Sequence, residues 1–187
     1  MRSRIAALLA ATALALAGCS ADDTPTGDTA EHNEADVVFA TDMIPHHAQA
    51  LVMVDMTEGR DVSPEFAELA AGIKAAQTPE IEKMTGWLEG WGEDVPDSTG
   101  MHGMDMGDVD MSNGMMSDSE LTGLDSAADS RFESMWLRMM IEHHEGAIEM
   151  SELEIEAGAF PPAIALATSI ATSQQAEIET MKGMLEE

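Results

Sequence analysis

From residue 36 to about 58, Phe39, Met43, Ala50 and Val54 recur at intervals of threes and fours, the apolar spacing of one helix face. Pro45 falls inside this run and removes a backbone donor, so a kink is expected there, or a restart with Pro in the first turn. Gly59, Arg60 and Asp61 close the segment. Ser63-Pro64-Glu65 then has the form of a helix start, with a capping hydroxyl, Pro in the first turn and a favourable acid. This second helix should reach about Trp91, with Pro79 as a kink or break and an inner stripe of Ile73, Gln77, Glu80, Ile81, Met84 and Leu88. Periodicity disappears over 92–116. Ser117-Asp118-Ser119-Glu120 fits a capping box opening a short helix to Leu124. Asp129 is the expected cap of a long helix to about Ala157, and Pro161-Pro162 begins a last helix to the C-terminus. No segment shows sustained strand alternation.

The pattern occurs twice. Met43-Ile44-Pro45-His46-His47 returns 97 residues later as Met140-Ile141-Glu142-His143-His144, without a gap in the register. Ala50, Met53, Ile73, Gln77, Glu80 and Met84 return as Ala147, Met150, Ile170, Gln174, Glu177 and Met181. Between 36–90 and 133–187, 18 of 55 aligned positions are identical, which establishes an internal duplication. The expected architecture is therefore all-α, a four-helix bundle made of two duplicated helical hairpins. Repeat one covers 36–91, a Met-rich linker 92–116, and repeat two 117–187.

The first residues change the picture of where the protein works. Arg2 and Arg4 precede an apolar run from Ile5 to Ala17 that is too short for a comfortable membrane span. The run ends Leu16-Ala17-Gly18-Cys19, the form of a bacterial lipobox. Residues 1–18 thus read as a lipoprotein signal peptide, with Cys19 as the lipidated residue of an extracytoplasmic protein anchored to the cell envelope. Cys19 is the sole cysteine, so no disulfide can form within the chain. Residues 19–35, rich in Asp, Thr, Gly and Pro, read as a disordered acidic tether. The formal charge of −28 repels nucleic acid and anionic headgroups and gathers cations, although most such carboxylates simply solubilise an exported surface.

Candidate chemistry concentrates in the repeats. Helical spacing puts Met43 over His46 and His47, with Ala50 one turn on and Met53 at the edge of the stripe. Met140, His143, His144, Ala147 and Met150 repeat the arrangement. Adjacent histidines point about 100° apart, so one of each pair is expected inside and the other near the rim. Gln77, Glu80 and Met84, or Gln174, Glu177 and Met181, face them from the returning helices. Two matched imidazole pairs flanked by thioethers suit a soft metal. A purely structural role, with the histidines hydrogen-bonded to the Gln and Glu residues, is the alternative. In the linker, Met101, His102, Met104 and Met106 stand among Gly and Asp, where no core can form. Thioether and imidazole suit monovalent copper, and nitrogen donors hold divalent copper well. The chain has no Cys cluster or HExxH spacing for zinc, and no Glu three residues before any of the four repeat histidines, as diiron oxidases need. No nucleophile motif and no glycine-rich phosphate loop is present.

Met-Ile-x-His-His-x-x-Ala-x-x-Met, followed by Ile-x-x-x-Gln-x-x-Glu-Ile-x-x-Met, resembles the exported bacterial family named domain of unknown function three hundred and five. The resemblance runs from Asp36 to about Leu185 and includes both copies. It implies a ferritin-like four-helix bundle and, by likeness to the CopM-type members, copper binding outside the cytoplasm and support of copper tolerance. It also implies metal contacts from Met43, His46, His47 and Met53, and from Met140, His143, His144 and Met150, with Pro45 against Glu142 making the two sites unequal. The expectation is a lipid-anchored copper-binding protein, not an enzyme, with silver as a second soft ion. Its partners would be the membrane, the metal ion and copper transport proteins. The alternatives are an envelope interaction bundle without metal and a metal-dependent oxidoreductase. Copper affinity is expected to fall as pH drops through the histidine range.

Overall fold

A computed structural model describes residues 31–96 and 113–186. Four long helices and one short helix make up the described chain: α1 (Glu34–Asp55), α2 (Pro64–Trp91), α3 (Asp118–Asp125), α4 (Asp129–Ala157) and α5 (Pro161–Glu186). No strand occurs among the described residues. α1 and α2 pack as one hairpin and α4 and α5 as the other, and α1 meets α4 at the centre. The four-helix bundle of duplicated hairpins is therefore present. None of the described helices is long and apolar enough to cross a membrane.

Local chemistry sets the helix ends. Ser63 caps α2 with Pro64 at its first position, and Ser117 and Glu120 form the expected capping box of α3. Two expectations need correction. α1 begins two residues before residue 36, with Asn33 as its cap and Asp36 completing a capping box. Asp129 is not a cap: it is the first residue of α4, and Ala128 precedes it without a side-chain bond. Pro45 lies inside an uninterrupted α1, as Pro79 does in α2. Each removes one hydrogen bond, which the packing of a long helix tolerates.

The two hairpins are interlocked by reciprocal carboxylates. Asp36, at the start of α1, accepts from the Phe160 amide at 2.9 Å and the Ala159 amide at 3.1 Å, in the turn of the second hairpin. Glu133, its counterpart 97 residues on, accepts from the Ser63 amide at 2.6 Å and the Ser63 hydroxyl at 3.0 Å, in the turn of the first. Each helix start thus holds the opposite turn. Burial pushes the Asp36 carboxyl up, but the amides of Asn33, Phe160 and Ala159, with Glu154 beside them, outweigh it and hold its pKa below the ordinary value. Glu154 is buried too, and that burial, with Asp36 adjacent, raises its pKa to about 8.

The core divides into two apolar clusters that the duplication exchanges. One contains Ala50, Met53, Met140 and Met181, with Phe66, Phe132 and Trp136. The other contains Ala147, Met150, Met43 and Met84, with Phe39 and Phe160. At one end, Trp136 donates its indole N–H to the Met53 carbonyl at 2.7 Å, satisfying a group the end of α1 leaves open. Arg60 closes the same end. It donates to the carbonyls of Met56 at 2.8 Å, Ala127 at 2.9 Å and Asp125, and its guanidinium lies 3.9 Å above the Phe132 ring. A lysine cannot reproduce that fork. Arg60→Ala should therefore destabilise the fold by about 3 kcal/mol, lowering Tm by roughly 10 °C in calorimetry, with Arg60→Lys recovering little of it.

Candidate metal site

A polar layer separates the two apolar clusters. It runs across the bundle in the order Glu80, His47, His46, His143, His144, Glu177. His47 Nε2–H donates to Glu80 Oε2 at 2.9 Å, and His144 Nε2–H donates to Glu177 Oε2 at 2.7 Å. The rings of His46 and His143 meet at the centre, with centroids 3.7 Å apart, while each adjacent pair on one helix is separated by 6.4 Å. All four histidines are buried, at 1 % exposure or less, so the expectation of one ring per pair near the rim fails. The reason is that α1 and α4 are each covered on two sides. His46 faces α4 while His47 faces α2, and neither direction leads to solvent.

These partners fix which nitrogen carries the proton. A carboxylate or carbonyl can only accept, so His47 and His144 are held with hydrogen on Nε2, and so is His46, which donates to the Asn113 carbonyl at 3.0 Å. The three Nδ1 atoms are buried without a hydrogen-bond partner among the described residues. His143 has no partner on either nitrogen, although the His46 backbone lies near enough to favour its charged form slightly. Gln77 leaves both amide atoms unmet and Gln174 its oxygen, each one turn before the glutamate that holds the outer histidine. Thus eight of the ten buried unpartnered side-chain atoms among the described residues belong to this layer; such groups normally cost about 1–3 kcal/mol each, and their concentration calls for a polar occupant.

Burial lowers the pKa of His46 to about 3, reinforced by His47, and burial lowers that of His143 well below the ordinary value, reinforced by His46. Both rings are therefore neutral, as a metal ligand must be. Burial thus weakens competition from protons at these two positions. A carboxylate on the far nitrogen of an imidazole is also the common outer-shell arrangement around protein-bound metals, where it orients the ring and raises its basicity. Glu80 and Glu177 occupy that position here.

The donors fit a soft or borderline cation in kind. Among the described residues, however, no three His, Cys, Asp or Glu side chains already converge as a chelating group, so ligation requires the central rings to turn. The thioethers of Met43, Met53, Met140 and Met150 lie in the apolar clusters on either side of the layer. The linker residues Met101, His102, Met104 and Met106, and the lipidation candidate Cys19, lie outside the described residues. The linker's last part does not match its low-complexity reading: Met115 and Met116 are buried, at 6 % and 2 % exposure.

The DUF305 profile, a domain of unknown function, matches residues 36–185. The chain belongs to the DUF305 family. A DUF305 fragment from Deinococcus radiodurans has the same fold with a TM-score of 0.72 and 30% identity, covering 82% of this chain and 97% of that one. A DUF305 protein from Streptomyces coelicolor, assigned to the secreted class, aligns with a TM-score of 0.70 and 31% identity over 81% of this chain and 91% of that one. CopM in its Cu(II)-bound form is similar at 32% identity and a TM-score of 0.66, over 81% of this chain and 95% of its own. CopM structures with Cu(I) and with Ag are similar as well. No curated protein matches this DUF305 chain. The layer of Gln77, Glu80, Gln174 and Glu177 that supports the histidines was legible as an inner stripe. The role of Asn113 was not, because a backbone carbonyl leaves no mark in residue type.

Proposed function

We propose that this DUF305 protein is an extracytoplasmic copper-binding protein, anchored through lipid on Cys19, that captures or buffers the ion without catalysing a reaction. One observation carries the reading: three buried imidazoles, each bonded through Nε2 to a carboxylate or carbonyl, have Nδ1 atoms with no hydrogen-bond partner among the described residues. Such atoms bind a metal or remain a net cost to the fold. Likeness to CopM structures holding Cu(II), Cu(I) and Ag supports copper, with silver as its mimic. His46, His47, His143 and His144 would supply nitrogen, Met43, Met53, Met140 and Met150 sulfur, and Met101, His102, Met104 and Met106 would collect ions from solution. Delivery would go to copper transport proteins of the envelope.

A second reading is favoured by the lack of a ready chelating group: the layer is then a polar register device that aligns the hairpins. Calorimetric titration with cuprous and cupric ions separates the two. Copper binding predicts a micromolar or tighter Kd, lost when His46, His47, His143 and His144 are all changed to alanine. Absence of heat with folded protein would discard the proposal and leave the register role.

A further inference from the structure

The duplication supplies two hairpins but only one connection between them, and the end of that connection lies against the histidine layer. Asn113 to Met116 form a strap across α1 and α4. Gln49 grips it from α1: its amide N–H donates to the Met116 carbonyl at 2.8 Å and its oxygen accepts from the Met116 amide at 2.7 Å, both buried. On the α4 side the backbones touch. A Cβ on Gly146 would stand 1.7 Å from the Asn113 carbonyl oxygen, and one on Gly114, whose φ is +74°, would stand 2.3 Å from the Glu142 carbonyl. Residues 49 and 146 are equivalent positions of the repeat, as are 45 and 142. The repeats have therefore diverged where the strap touches them: a clamp in one copy, and a gap for the backbone in the other.

A single segment lying across a pseudo-twofold axis cannot serve both halves alike. Here it gives its Asn113 carbonyl to His46 and nothing to the equivalent nitrogen of His143. We propose that the strap makes His143 the leading ligand of the row, so that the α4 half, His143 with His144, takes up the first ion and the α1 half follows. This rests on the copper reading above and adds an order of loading to it. The physical reason is the bond each ring must give up. His143 can turn and offer either nitrogen without breaking a hydrogen bond, whereas His46 can reorient only by leaving a buried carbonyl, a handicap worth about a fivefold to tenfold difference in affinity. Gln49 and Gly146 act as positioning residues because they hold the strap and never touch the ion.

Two measurements test the order. In the metal-free protein, long-range proton–nitrogen spectra of ¹⁵N-labelled histidines should show His46 as a single Nε2–H tautomer with a slowly exchanging proton. His143 should show mixed tautomers and fast exchange. Identical behaviour of the two rings would overturn the proposal. Competition titrations with cuprous ion alone then compare His143→Ala with His46→Ala, both at helix positions that accept alanine. His143→Ala should weaken the first ion by about tenfold or more, and His46→Ala by no more than about threefold. Equal losses would overturn the order while leaving copper binding intact; a wild-type protein that takes up no copper would overturn both. Gly146→Ala, which displaces the strap while favouring the helix, should make the two substitutions equivalent. Gln49→Leu serves the same purpose if that chain does not fold, and a persisting difference in a strap-released variant would also overturn the proposal.

Discussion

Changing Glu80 and Glu177 together to glutamine is expected to weaken copper binding by at least about tenfold while the bundle stays folded. The substitution is close to isosteric. Both side chains are mostly covered, at 13 % and 22 % exposure, and a glutamine oxygen can still accept from His47 or His144. What disappears is the negative charge at the two ends of the row. That charge makes each outer imidazole a better donor at Nδ1, and it offsets the ion's charge in a core with little other compensation. Circular dichroism and a copper competition assay on the same sample check the expectation. An unchanged Kd in a folded double variant would remove both carboxylates from the site. The single variants should each show part of the loss, since the halves are related but not identical.

The second large effect concerns stability and pH. Unfolded Glu154 ionises near its ordinary value of 4.5, whereas in the folded protein it keeps its proton to about 8. Between those values the folded state binds more protons, so this contribution is complete below 4.5 and is lost as pH rises through 8. The loss should amount to at most roughly 5 kcal/mol. His46 acts in the opposite sense. Its folded pKa of about 3 lies below the ordinary value of 6.5, so its contribution is complete above 6.5 and is lost as pH falls towards 3. The metal-free protein should thus be most stable between 4.5 and 6.5. Glu154→Gln should flatten the alkaline arm of the urea midpoint profile and leave the acid arm unchanged. Parallel alkaline arms in variant and wild type would show that Asp36 and Glu154 do not share a proton.

The helices were legible because their signals are local. Apolar spacing, the Ser63 and Ser117 caps and the Pro161-Pro162 start each depend on neighbours within a turn. The histidine pairs were legible because the duplication shows them twice. Features made by distant contacts were hidden. Nothing near Asp36 in sequence announces that it binds the turn at Phe160, although its pairing with Glu133 at the repeat offset was an available sign. Burial of both histidines of a pair depends on α1 having neighbours on two sides, which one helix's periodicity cannot reveal. The strap was masked by the Gly, Asp and Met composition before it, and its working atoms belong to the backbone.

The exchange of carboxylates between hairpins has a consequence for assembly. One hairpin carries both an acid at its first helix and the amides that such an acid seeks, so it is self-complementary to a second copy of itself. Covalent linkage in this chain therefore joins an arrangement that two separate polypeptides can make as a symmetric pair. Cutting within 97–112 should leave fragments that find each other again, with neither half stable while alone.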